Sequence, residues 1–196
     1  MSEFYAHPTA IVETARIGAG TRIWAYAHVM NNVTIGSNCN IGDHCFVESG
    51  VIVGNNVTIK NGNMLFDGVE LEEGVFVGPH VFFTNDLYPR SPRLEQCKYR
   101  YESSDWLFKT KVCRGASLGA GAVIVSNNTI GEFAMVGAGC VVTHDIPPYA
   151  LVVGNPARQI GWVCQCGLRL KEDGQKAFCP SCGRQYQVID GRVSPV

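Results

Sequence analysis

Apolar side chains recur every sixth residue: Ile11, Ile17, Ile23, Val29, Ile35, Ile41, Val47, Val53, Ile59, Leu65, Leu71, Val77 and Phe83. Four residues after each comes a small or β-branched companion, as in Ala15, Thr21, Ala27, Val33, Cys39, Cys45, Val51, Val57, Val69, Val75 and Val81. Asn63 is the exception in that column. Glycine falls directly after the apolar position, as at Gly18, Gly36 and Gly54, or three after it, as at Gly50, Gly62 and Gly74. Neither an amphipathic helix nor an alternating strand has this period. A short fixed period sustained over many repeats marks a solenoid. Each unit reads as a short strand and a turn, with glycine or asparagine supplying the positive φ that turns need. Three units would close one triangular coil, stacking residues that lie three units apart at about 4.8 Å. The expected fold class is all-β, a parallel β-helix of hexapeptide repeats.

Stacked coils turn sequence positions into columns. One column holds Tyr26, His44, Gly62 and His80; a second holds Asn31, Ser49, Asp67 and Asn85; a third holds His28, Phe46, Met64 and Phe82. The frame breaks after Phe83 and resumes at Val112. Between them, residues 84–111 are rich in tyrosine, arginine, lysine and proline and include Trp106. A loop this long in a compact domain is usually functional or disordered, and its aromatic and basic content favours a wall of a binding site. The repeat continues through Leu118, Ile124, Ile130, Val136 and Val142, with Asn128 an inward amide that needs a partner. Pro147-Pro148 ends it.

The remaining chain reads as a separate small module, giving boundaries of 1–162 and 163–196. Cys164-x-Cys166 and Cys179-x-x-Cys182 are each followed by glycine. Such pairs have the spacing of a four-cysteine zinc site, although the first is one residue short. The preferred reading is a zinc-ribbon-like module with structural zinc on Cys164, Cys166, Cys179 and Cys182. Iron in a rubredoxin-like site comes next, and free thiols last. A module this small needs metal to fold. Cys39, Cys45 and Cys140 fall at inward positions and read as core.

A formal net charge of −1 implies no basic surface for nucleic acid. The N-terminus has no apolar run like a signal peptide, and no stretch approaches a membrane span. The expectation is a soluble, cytoplasmic protein.

The repeat resembles the hexapeptide-repeat acyltransferases, whose coils wind left-handed. TRIWAYAHVM at 21–30, VFVGPHVFFTNDLYPRS at 75–91 and YALVVGNPARQIGW at 149–162 resemble, within that group, the N-acyltransferases of nucleotide-linked 3-amino sugars. KNGNMLFDGVELEEGVFVGP before FTNDLYPRS is closer to the dTDP-3-amino-3,6-dideoxyhexose enzymes than to those for UDP-2-acetamido-3-amino-glucuronate. The resemblance implies a homotrimer with active sites between subunits and acetyl-CoA along the solenoid. It implies cofactor contacts at Asn155, Arg158 and the backbone of Ala116 and Ala134. His28, Lys60, Asn61, Phe66, Asp86, Tyr88 and Arg90 are the substrate-side candidates.

Chemistry narrows the catalytic residues. An amine with a pKa near 8 is already about a tenth neutral at pH 7, a cost of about 1.4 kcal/mol, so direct attack needs no strong base. Asn85 is the candidate for orienting that amine, and His80 is the rival as general base. Asp86 could accept a proton or hold the loop. Two readings from other classes compete. A γ-carbonic-anhydrase-like enzyme would need three converging histidines; a non-catalytic scaffold would need no acetyl-CoA.

Overall fold

The computed structural model describes residues 3–196. Short strands, most of two residues, stack in parallel into three sheets. The nine-stranded sheet runs from Tyr5–Ala6 to Ala150–Val153 and ends on Arg158–Trp162. The seven-stranded sheet runs from Ile11–Val12 to Val141–Val142, and the five-stranded one from Thr34–Ile35 to Thr129–Ile130. Arg22 pairs with Asn40, His28 with Phe46 and Thr34 with Ile52, so three hexads make one coil.

A strand of two residues points one side chain in and one out, and the hexad obeys this. Ile23, Val29, Ile41, Val47, Ile59, Leu65, Val77 and their companions Val33, Val51, Val57 and Val81 are fully buried. The exceptional Asn63 is equally buried and fully bonded. Its amide donates to Lys60 O (2.6 Å) and Gly78 O (2.9 Å), and its carbonyl accepts Val81 N–H (2.8 Å). Asn128 donates to Val125 O at 2.8 Å. The thiols of Cys39 and Cys45 are likewise inward, donating to Gly54 O and Lys60 O, and Cys140 is buried.

The start of the repeat departs from the expected frame. Val12, not Ile11, pairs with Val29, and Ala6 pairs with Ile23. Ile11 is exposed, and so is Ala15. The first coil is therefore one residue short, and the turn between Val12 and Ile17 absorbs the loss.

Three corners separate the sheets, each a column of left-handed residues. The first, leading into the nine-stranded sheet, carries Asn38, Asn56, Gly74, Gly115 and Phe133. The second, between the nine- and seven-stranded sheets, carries Tyr26, His44, Gly62, His80, Gly121 and Gly139. Asn32, Gly50, Gly68 and Asn127 form the third.

Two segments leave the solenoid. Leu71 pairs with Val112, 23 residues further along than a plain coil allows, and the surplus lies after Phe83. It is not wholly irregular: Glu95–Lys98 is a helical turn and Tyr99–Tyr101 a 3-10 turn. Beyond Trp162, strands Lys171–Asp173, Lys176–Phe178, Gln185–Ile189 and Arg192–Pro195 form an antiparallel sheet. Its buried residues Leu170, Ala177, Cys179, Tyr186 and Val193 are continuous with the solenoid core.

Candidate active site

The second corner is a track along the solenoid. Tyr26 stacks on His44, with ring centroids 5.0 Å apart. Gly62 comes next, and the His80 imidazole lies over it. A Cβ on Gly62 would stand 2.4 Å from His80 Cε1, so only glycine leaves that seat open. Lys60 and Asn61 are exposed beside the seat, and the Asn61 carbonyl accepts His80 N–H (3.1 Å). Above His80 the corner is bare, since a Cβ on Gly121 or Gly139 would meet nothing within 4 Å. The turn after Val153 closes the track, with Val141 N–H donating to Gly154 O (3.0 Å) and Ala157 N–H to Val141 O (2.8 Å). Asn155 and Arg158 thus stand exposed at its top. Three strand spacings separate them from His80, about 14 Å.

Ala116 and Ala134 are not part of this track. They sit at the first corner, fully buried. Their amides donate to Cys113 O (3.2 Å) and Gly131 O (3.1 Å), and their carbonyls accept Phe76 and Ser117 amides. The four expected cofactor residues therefore do not converge. Gly121 and Gly139, which the sequence reading did not single out, line the bare part of the track. Their signal was the pair Gly119-Ala120-Gly121 and Gly137-Ala138-Gly139, one coil apart.

Asn85 lies where the excursion leaves the coil, half-buried, with its carbonyl accepting Phe108 N–H at 2.9 Å. Asp86 organises the excursion from its first residues. Its carboxylate accepts Tyr88 N–H (2.8 Å), Tyr101 Oη–H (2.8 Å) and Arg100 Nη2–H (3.2 Å), and its side chain is 9% accessible. Arg100 also donates to Tyr88 O, and Arg90 N–H to Tyr101 Oη (3.0 Å). Burial pushes the Asp86 carboxyl up, but the Tyr88, Tyr101 and Arg100 donors outweigh it and leave it below its ordinary value. Three donors from the loop converge on Asp86, which anchors the excursion. Tyr88 and Arg90 are exposed on the loop surface.

His28 is placed on the seven-stranded face, edge-on to Phe46 (5.6 Å) and 2.9 Å from Glu13. Phe66 packs tilted on Phe46 at 6.3 Å, so His28 and Phe66 share a half-buried aromatic strip with exposed Phe82. His80 and Asn85 flank the strand Phe82–Phe83.

The cysteines do converge. The sulfurs of Cys164, Cys166, Cys179 and Cys182 all lie within 4.8 Å of one another, with Cys164–Cys182 and Cys166–Cys179 at 3.5 Å. A tetrahedral zinc with about 2.3 Å bonds separates its sulfurs by about 3.8 Å, so the quartet fits. Tyr186 Oη donates to Cys164 Sγ at 3.1 Å. Burial raises the Cys164 thiol, but the Cys166 amide and the Tyr186 hydroxyl outweigh it and bring it down to about 6. Among the described residues this is the one group of three or more His, Cys, Asp or Glu able to share an ion. No three histidines of the described chain converge. Among the described residues, no helix is long and apolar enough to cross a membrane.

Comparison with known proteins places these features. Residues 14–49 match the bacterial transferase hexapeptide (six repeats) family. The chain is 54% identical over 190 residues to the dTDP-3-amino-3,6-dideoxy-α-D-galactopyranose 3-N-acetyltransferase of Aneurinibacillus thermoaerophilus, covering 97% of this chain and 94% of that protein. Serine acetyltransferase of Escherichia coli is 43% identical over only 51 residues, 26% of this chain and 19% of that one. In structure, the acetyltransferase domain of PglB from Neisseria gonorrhoeae matches with a TM-score of 0.53 at 21% identity, over 81% of this chain and 58% of that one.

Proposed function

The chain belongs to the hexapeptide-repeat N-acetyltransferases of nucleotide-linked 3-amino sugars, a left-handed β-helix family, and we propose that it acetylates the 3-amino group of a dTDP-3-amino-3,6-dideoxyhexose from acetyl-CoA. The observation that carries this is the 54% identity over nearly the whole chain, which takes in the excursion and the cysteine module as well as the repeat. A galactose-configured sugar is the first substrate to test. The UDP-glucuronate alternative has less support. Met64 and Phe66 are the outward residues near the aromatic strip, Leu65 is buried, and none offers a charge to a sugar carboxylate.

Acetyl-CoA lies along the second corner in this reading. The bare glycines Gly121 and Gly139 admit a thin chain against the backbone, and Arg158 at the top meets phosphate. The thioester then reaches the level of His80. Asn85 of a neighbouring copy faces the same point in this reading, which completes the site in a homotrimer. The neutral amine attacks the thioester carbon, forming the C–N bond. The tetrahedral oxyanion is held by a backbone amide, the C–S bond breaks, and the nitrogen's surplus proton leaves with the thiol or to solvent. Asn85 orients the amine through its amide oxygen. Proximity is the main source of rate, and His80 remains the candidate for carrying the proton away. His28, Lys60, Asn61, Phe66, Tyr88 and Arg90 stand around the acceptor side.

The cysteine quartet holds structural zinc in this reading, with four protein ligands and no open position for catalysis. The setting is cytoplasmic, where nucleotide sugars and acetyl-CoA meet.

The test is incubation of the purified protein with acetyl-CoA and dTDP- or UDP-linked 3- and 4-amino sugars, read by mass. Acetylation of a dTDP-3-amino sugar supports the reading. Acetylation of only the UDP-glucuronate compound overturns the choice of nucleotide sugar, and no product from any amine overturns the activity.

A further inference from the structure

The ribbon touches the solenoid unevenly. Its distal hairpin, Ile189 to Ser194, faces Glu132 and Pro147-Pro148 across a cleft of about 1100 Å³. The close contact is at the cysteine end. There Tyr186 meets Tyr149 edge-on at 5.6 Å, and Tyr149 stacks on Phe133 at 5.6 Å. Arg114 lies over the Phe133 ring at 5.4 Å. Two hydrogen bonds parallel the stack: Gln165 N–H donates to Tyr186 Oη (3.1 Å), and Gln165 Nε2–H to Tyr149 Oη (3.2 Å). Val163 N–H donates to Tyr149 O (2.8 Å).

Phe133 and Tyr149 are also the two aromatic residues in left-handed backbone among those at the first corner, with φ of 52° and 63°. That conformation is unfavourable for a residue with a side chain. Both residues sit in the ring stack, and the stack ends on a cysteine ligand through Tyr186 Oη–H to Cys164 Sγ.

We infer that the cysteine site is the joint between ribbon and solenoid, so that metal occupancy holds the last coil and the Ala150–Trp162 hairpin as well as the ribbon. The inference rests on the zinc reading above. It goes further, because a zinc site could hold the ribbon alone and leave the solenoid indifferent. Four ligands fix residues 164–166 and 179–182; these fix Tyr186; Tyr186 fixes Tyr149; and Tyr149 opens the strand Ala150–Val153 that carries the turn at Asn155.

The test begins with the metal content of the intact protein. One zinc per chain is expected, and its absence overturns the zinc reading before the joint is probed. Zinc is then removed from the whole protein with a chelator, and amide hydrogen exchange is followed by peptide. Loss of protection over residues 146–196, with residues 23–125 unchanged, is the expected result. Loss confined to residues 163–196 overturns the joint while leaving the zinc site standing. Tyr186→Phe tests the same link without removing the metal, since it keeps the ring and deletes one hydroxyl. Zinc release is expected to speed up by about 10-fold, in line with other outer-shell partners, together with faster exchange at residues 146–162. Unchanged release and exchange in this variant overturn the joint.

Discussion

The excursion loop and the C-terminal ribbon both leave the repeat, and they solve the same problem differently. Neither has a column of stacked side chains to bury. The loop, after Phe83, folds round a single carboxylate, with three donors converging on Asp86. The ribbon folds round four sulfurs. A carboxylate with three hydrogen bonds holds a surface loop to within a few kcal/mol, because charge-assisted bonds are worth about 1.5–3 kcal/mol each at best. A four-thiolate metal site binds with an apparent 10–16 kcal/mol or so, enough to fold a small domain outright. The lesson is one of division: the weaker hub sits beside the proposed acceptor site, where some give is useful, and the stronger one sits at the end of the stack.

Four changes would sharpen or break that contrast, and the largest effect is expected at the metal. Cys179→Ser should abolish zinc binding and open residues 146–196 to cleavage, read by metal analysis and limited proteolysis; a fully protected ribbon without metal would make the two hubs equivalent. Asn85→Ala comes next. A turnover lower by about 10²–10³-fold is expected, the scale for losing a polar group that acts only in the transition state, and full turnover with a true substrate would remove Asn85 from the mechanism.

Asp86→Asn should lose a smaller factor, roughly 10-fold in kcat, with zinc content and melting temperature nearly unchanged. A collapse in melting temperature would show that the loop supports the solenoid, against the contrast. The same anchor predicts a pH dependence. The folded carboxyl lies below its ordinary value near 3.8. Its stabilising contribution is thus complete above that value and is lost as pH falls through the lower folded one. Proteolytic nicking near Tyr99 should therefore begin only in acid below that range, and nicking that sets in near neutrality would point to another group. Gly62→Ala is the mildest change. It places a methyl under the His80 ring in left-handed backbone, with an expected stability loss of about 1–2 kcal/mol and a small shift in activity.

Much of the solenoid was legible because its period is a geometric constraint repeated at every level. A hexad with an apolar first residue and a small companion has one way to stack, and Asn63 and Cys45 take their places within it as inward donors to the Lys60 carbonyl. The failure at Ile11 came from a one-residue deletion, which the period alone does not register because Ile11 and Val12 are both apolar. The cysteine quartet was legible from spacing despite its short first pair. The track was less so. Ala116 and Ala134 share the small size of corner residues, but size does not say which of the three corners a residue belongs to, and they fall at the first. Asp86 was open between two roles because its partners Arg100 and Tyr101 lie 14 and 15 residues away across a loop without periodicity.

The reversal of direction at Arg158–Trp162, the antiparallel strand that finishes the nine-stranded sheet, carries a consequence for assembly. A parallel solenoid ends in unpaired strand edges that match the beginning of another molecule, an invitation to grow end to end as a fibre. A strand running backwards does not offer that match, and Arg158 and Gln159 stand exposed on it. A chain cut after Asp145 would keep its coils and lose this terminator. It should pass from discrete particles to filaments, visible by electron microscopy.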